Sequence, residues 1–394
     1  MASFTSFSSH RSQFPALQSK TYFNFGGQGP LPLTASTAIT EAYTFLQETG
    51  PFSGTANQWL TKRGEQTRHA IAQAIGAPVG TVALTDNVTV GCNIALWGIT
   101  WQPGDRILIG DCEHPGVIAT IREIRRRFGV AIDTLPLLPT LNGGDPVAML
   151  KQHLRSHTRL VVVSHLLWNT GQVLPLKEMA TACQAYPSAQ SIQILVDGAQ
   201  SVGSLPEHVD SLGCDFYAFT GHKWLCGPAG VGGLYVSSSA LESLHPTFIG
   251  WRGVELSPQG DPRAWMSGAV RYEVATSPYP LYEGLQAAIA IHETVGDRQA
   301  RYAQICQLSD YLWTELKRLP DVKLLKDSAP KSGLVSFQVE GRRSHKKLVE
   351  HLEQKGYCLR TLAQPDCIRA CVHYFTLPSE IDSLIQVLSE LLSS

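Results

Sequence analysis

The chain has 394 residues, 43% of them hydrophobic, and its 32 basic and 33 acidic side chains leave a formal net charge of -1. That length can bury one large core and a smaller second one. The balanced charge argues against a nucleic-acid or membrane-surface partner, and no apolar run reaches the ~18 residues of a membrane helix. Nine cysteines, an odd number without a Cys-x-x-Cys pair, fit reduced thiols in a cytoplasmic compartment better than a disulfide scaffold. The spacing of Cys367 and Cys371 is not that of a zinc site, and no metal is expected.

Residues 1–20 read as a tail. The first thirteen are rich in Ser and Thr and lack the apolar segment of a secretory signal, with a short targeting peptide as the alternative. From 21 to 260 the pattern is that of a large α/β domain. Strands are expected at Thr81–Thr85, Arg106–Gly110, Ala131–Leu135, Leu160–Ser164, Ile192–Val196, Phe216–Thr220 and Val231–Val236. Continuous apolar runs such as Leu160-Val161-Val162-Val163 fit strands covered on both faces of a mostly parallel seven-stranded sheet. Val117, Ile118, Ile121, Ile124 and Phe128 share one helical face, opened by Pro115-Gly116 and ended at Gly129. The Arg125-Arg126-Arg127 run on that helix reads as its solvated face.

From 261 to 394 a smaller α+β domain is expected. It begins with a helix from near Tyr282 past His292 and a second over Arg301–Leu319. Then come a strand Leu334–Val339, a helix His345–Lys355, and strands Tyr357–Thr361 and Ile368–Tyr374. The last helix runs from Pro378, where a missing N–H costs nothing, to Leu392.

In open α/β sheets ligands bind beyond the carboxyl ends of the strands, so the residues just after each strand are the candidates. Asp197 follows one strand, in Val196-Asp197-Gly198-Ala199-Gln200. A carboxylate there can keep a pyridinium nitrogen protonated, which is the electron sink of pyridoxal-phosphate (PLP) chemistry, or can simply cap the next turn. Lys223 follows another, in Gly221-His222-Lys223-Trp224, as a Schiff-base lysine or a surface lysine. Asp86-Asn87-Val88-Thr89 opens an apolar helix whose free N–H groups suit a phosphate, or is an ordinary cap. His114 can stack on a flat ring or serve as a hydrogen-bonded loop histidine, and Asn169 can hold an anionic oxygen or make a turn.

The ordered set of helix start, His, Asn, Asp and Lys resembles the class V aminotransferase family of fold-type I PLP enzymes, the group containing the cysteine desulfurases. The resemblance runs from Tyr22-Phe23-Asn24 to the C-terminal helix. It is most specific at Val196-Asp197-Gly198-Ala199-Gln200 and Thr220-Gly221-His222-Lys223. It implies that Lys223 carries PLP, that Asp197 pairs with the ring nitrogen, that Gln200 bonds the phenolic oxygen and that His114 stacks on the ring. Thr89, Thr220 and His222 would bind the phosphate, with Val88 beside the cofactor. Asn169 and Arg369 would grip the substrate carboxylate. Thr276 would reach the phosphate of a neighbouring subunit, which implies a homodimer with its sites at the interface.

One departure bears on the reaction. Desulfurases of the family carry a nucleophilic cysteine on a long loop before the arginine strand. Here only Leu362-Ala363-Gln364-Pro365-Asp366-Cys367-Ile368 separates Thr361 from Arg369, and Cys367 is expected in the strand or at its edge. The shortened form resembles the cystine C–S lyases of the group. It implies β-elimination of cystine, and more slowly cysteine, to pyruvate, ammonia and cysteine persulfide or sulfide, with possible transfer of sulfur to iron–sulfur acceptor proteins. Arg360 would take the distal carboxylate of cystine or join a structural ion pair. Trp251 and Arg252 would line the pocket or pack a loop. The alternatives are a desulfurase giving alanine and an enzyme persulfide, a PLP aminotransferase, and a PLP-binding protein without catalysis.

Overall fold

A computed structural model describes residues 10–188, 190–341 and 344–393. The chain opens with a short strand, β1 (Thr21–Tyr22), and two long helices, α1 (Leu33–Thr49) and α2 (Gly54–Ile75). Ser53 starts α2 by accepting from the Ala56 N–H, and Gly76 ends it at φ 65, a left-handed conformation that suits glycine.

Strands and helices then alternate: β2 (Val82–Thr85), α3 (Val88–Gly98), β3 (Arg106–Gly110), α4 (Pro115–Phe128), β4 (Ala131–Leu135) and α5 (Pro146–His153). They continue with β5 (Thr158–Ser164), α6 (Leu176–Gln184), β6 (Gln193–Asp197), β7 (Phe216–Thr220) and β8 (Gly232–Val236). The seven strands pair in the order β2-β8-β7-β6-β5-β3-β4. Only β8 runs against its neighbours, so the sheet is mixed but mostly parallel, as expected. Val161 and Val163 of β5 enter one core, and Leu160 and Val162 enter the other. Both faces are covered, which is why this strand has no polar alternation.

The C-terminal part adds the hairpin β9 (Val254–Leu256) and β10 (Pro262–Trp265), then α7 (Tyr279–Glu293) and α8 (Arg298–Lys317). It ends with β11 (Val322–Leu324), β12 (Leu334–Val339), α9 (His345–Gln354), β13 (Tyr357–Cys358), β14 (Arg360–Ala363), β15 (Asp366–Cys371) and α10 (Pro378–Ser393). A second sheet, ordered β11-β12-β15-β14, shares a core with α8, α9 and α10 through Leu312, Leu352, Leu384 and Leu388.

The structure splits the expected strand Tyr357–Thr361 into β13 and β14, which belong to different sheets, and it departs from the sequence expectations in three further places. Of the expected tail 1–20, residues 1–9 lie outside the described residues, and the rest is packed. Phe14 is fully buried, and Arg11 makes an ion pair of 2.9 Å with Glu380. Helix α7, expected in the smaller domain, packs on α1 and α2 and gives Tyr282, Leu285 and Ile289 to the large core. β1, expected with the large domain, pairs in parallel with β13 near the C-terminus. Each of these contacts joins segments far apart in the chain, where local pattern carries no signal.

Candidate active site

Strands β3, β5, β6 and β7 run in one direction, so the segments after them gather at one edge of the sheet. There Val88, His114, Ser164, Leu166, Trp168 and Asp197, together with Ala199, Gln200 and Lys223, line a cavity of about 330 Å³. The sequence candidates Lys223, Asp197, His114, Gln200 and Val88 are therefore brought together.

Lys223 is held in the turn after β7. Burial is the largest influence on its amine and brings it down to about 8; Asp197 opposes the shift, and the charges of Arg369 and Arg360 add to it. A lysine so placed is partly neutral near physiological pH, the form needed for carbonyl chemistry. Asp197 is buried and accepts from the Ala199 N–H at 2.9 Å. Burial raises its carboxyl pKa, against that backbone bond and the nearby Lys223 and His114.

His114 caps α4, its Nδ1 accepting from the Gly116 N–H at 3.2 Å, and its ring meets Trp168 edge-on at 6.1 Å. Gln200 donates to the Gly26 carbonyl at 2.8 Å and accepts from Trp224 Nε1 at 2.9 Å, which leaves one amide hydrogen for a ligand. At the start of α3, Asn87 caps the Val90 N–H, so the first-turn amides of Val88 and Thr89 are open. Thr220 Oγ1 and His222 Nδ1 lie 2.6 Å apart.

The second half of the site comes from β14 and β15. Arg360 and Arg369 are directly opposed in this hairpin, and their side chains share a face. Like charges so placed repel, an arrangement that suits a bound anion. Arg369 is buried; its Nη1 donates to the Trp168 carbonyl at 2.7 Å, and its Nε has no partner among the described residues. Gly26 makes this possible, because a Cβ there would come within 2.9 Å of the guanidinium. Asn169 donates to the Gln364 carbonyl at 3.1 Å, and its buried Oδ1 is without a partner among the described residues.

Two sequence candidates lie elsewhere. Thr276 is exposed, and Trp251 is 56% exposed, stacked with Arg252, which also covers Tyr279. Neither lines the cavity of its own chain. Conversely, sequence reasoning missed Glu113, which is buried. It accepts from the Ser164 N–H at 2.7 Å and from the Ser164 hydroxyl at 2.8 Å. Burial, with the charge of Asp197, pushes Glu113 up to about 8. Its partner is on a different strand, so no local signal could have found it.

The family model of the class-V aminotransferases matches residues 22–381. The chain belongs to the class-V aminotransferase family. Among the relatives of this class-V protein is a probable cysteine desulfurase of Methanothermobacter thermautotrophicus, 25% identical over 396 residues and covering 97% of both chains. Two solved structures are much nearer. One is a complex between the cystine C–S lyase C-DES and its reaction product cysteine persulfide. It is 51% identical with a TM-score of 0.95, over 96% of this chain and 99% of that one. The other is a lysine-to-alanine mutant of C-DES with glycine covalently linked to the PLP cofactor. It is 50% identical, with the same TM-score and coverage.

Proposed function

We propose that this class-V protein is a PLP-dependent carbon–sulfur lyase that eliminates the β-sulfur of cystine, and more slowly of cysteine. Pyruvate, ammonia and cysteine persulfide or sulfide are the products. The residues fit the cofactor: a buried amine at Lys223, a buried acid at Asp197, and the open amides at the start of α3. In this reading Lys223 would hold PLP, Asp197 would pair with the ring nitrogen, His114 would stack on the ring and Gln200 would bond the phenolic oxygen. Val88, Thr89, Thr220 and His222 would hold the phosphate. When bound, PLP supplies the electron sink that acidifies the substrate Cα–H.

The protein's own work is positional and acid–base. Arg369 and Asn169 hold the α-carboxylate, for which a planar guanidinium offers a two-point grip. Arg360 takes the distal carboxylate of cystine. The Lys223 amine accepts the Cα proton. A persulfide has a lower pKa than a thiol, leaves more readily, and makes cystine the better substrate.

The observation that separates a lyase from a desulfurase is the β14–β15 hairpin. Ala363 pairs with Asp366, so only Gln364 and Pro365 form the turn. Cys367 is paired with Leu362 inside β15 and fully buried, and burial pushes its thiol up to about 12. A reactive cysteine needs exposure and a depressed pKa, so the hairpin presents no sulfur acceptor. Cys367→Ala is expected to keep cystine lysis within about twofold of wild type; complete loss of sulfur release would favour the desulfurase reading.

The same reading makes the protein a homodimer in which the partner subunit supplies Thr276 and Trp251. Exposed Phe248, Ile249, Trp251, Trp265 and Val274 on one stretch of chain support it. A cytoplasmic setting is supported by nine free cysteines. Among the described residues no helix is long and apolar enough to cross a membrane. The persulfide product would be available to iron–sulfur acceptor proteins.

A further inference from the structure

Behind Lys223 lies a buried group of histidines that the chemistry above does not use. The turn after Lys223 is demanding: Cys226 donates its N–H to the Lys223 carbonyl at 3.0 Å while held at φ 53. That left-handed conformation is unfavourable for a residue with a side chain and has to be stabilised by its surroundings.

The two carbonyls between are anchored from one side. His373 Nε2 is 3.0 Å from the Trp224 carbonyl, and His292 Nε2 is 3.0 Å from the Leu225 carbonyl. A carbonyl only accepts, so both Nε2 atoms carry hydrogens. In the neutral rings both Nδ1 atoms are then acceptors. Each finds its donor on Tyr374: the His373 Nδ1 takes the backbone N–H at 3.0 Å, and the His292 Nδ1 takes the phenol at 2.8 Å. The phenol in turn accepts from His10 Nε2 at 2.7 Å.

One donor direction therefore runs from His10 through Tyr374 and His292 to the Leu225 carbonyl. The far end is fixed by Arg11, which donates to the Phe375 carbonyl at 2.8 Å and pairs with Glu380. The rings close the arrangement, with His373 stacked on Trp224 at 5.6 Å and on His292 at 5.5 Å. Burial keeps the rings neutral, holding His10 down to about 4 and His292 to about 3, with the Arg301 charge adding to both.

We propose that His292 and His373, oriented by Tyr374 and His10, are positioning residues for Lys223. They fix the turn Lys223–Cys226 and thereby the place of the amine at the sheet edge. The proposal rests on Lys223 as the cofactor lysine. It also gives the N-terminal segment, expected as a tail, a part in the reaction.

The test compares His292→Leu, His292→Gln and Tyr374→Phe in the full-length PLP-loaded protein. Leucine removes the donor to the Leu225 carbonyl, whereas the terminal amide of glutamine reaches the place of Nε2. His292→Leu is expected to lower kcat roughly tenfold with little change in KM. It should also shift the pH midpoint of the visible absorbance and speed hydrogen exchange at the Cys226 and Gly227 amides. His292→Gln should recover most of each effect. Wild-type absorbance and exchange in His292→Leu would overturn the proposal, as would a His292→Gln variant as impaired as His292→Leu. If His292→Leu does not fold, Tyr374→Phe carries the test: partial changes in the same direction support the proposal, and wild-type values overturn it. Exchange at the turn reads the anchoring itself, so it can fail while Lys223 remains the cofactor lysine.

Discussion

Replacing Lys223 with alanine is expected to abolish turnover of cystine, by about 10⁴-fold or more, and to remove the visible absorbance of the lysine–cofactor linkage. Two functions disappear at once. In the proposed reaction the amine that burial brings down to about 8 would hold the cofactor and would also be the base at the Cα–H. General-base catalysis alone contributes about 10²–10⁴-fold. The check is a single-turnover measurement on protein loaded with excess PLP, with circular dichroism to confirm the fold. Normal activity in that variant would remove Lys223 from the site and with it the proposed reaction.

The second large effect is expected at Arg369. In Arg369→Ala, kcat/KM for cystine should fall by about 10²–10³-fold, the scale of losing a buried charge-assisted grip. The visible absorbance of the bound cofactor should remain. Arg369→Lys should recover little, because an ammonium cannot reproduce the planar two-point contact. The physical basis is a buried guanidinium that, among the described residues, has one carbonyl partner and no partner at Nε, lying opposite a second arginine. An Arg369→Ala variant with unchanged KM and kcat would show that the carboxylate is held elsewhere.

The large sheet was legible because its buried strands read as apolar runs and its chemistry sits just after them. Asp197 and Lys223 could be found in this way, one and three positions past the ends of predicted strands. The positions of β1 and α7 were not legible, because both are decided by pairing with distant segments. Glu113 was invisible for the same reason: its two hydrogen bonds go to Ser164 on β5. The short β14–β15 turn was readable from residue count, since seven residues cannot form both a hairpin and a long mobile loop. What the structure adds is the full burial of Cys367, on the strand face it shares with Arg369. The placement of Arg360 opposite Arg369 likewise needed the register of the hairpin.

In the proposed reaction sulfur leaves by elimination, without a cysteine of the enzyme receiving it. Incubation of the PLP-loaded protein with cystine, with pyruvate, alanine and protein-bound persulfide assayed together, tests it most directly. Pyruvate and ammonia in equal amounts, sulfur released as cysteine persulfide, and no alanine are expected. Alanine formed in step with a persulfide on the protein would contradict it.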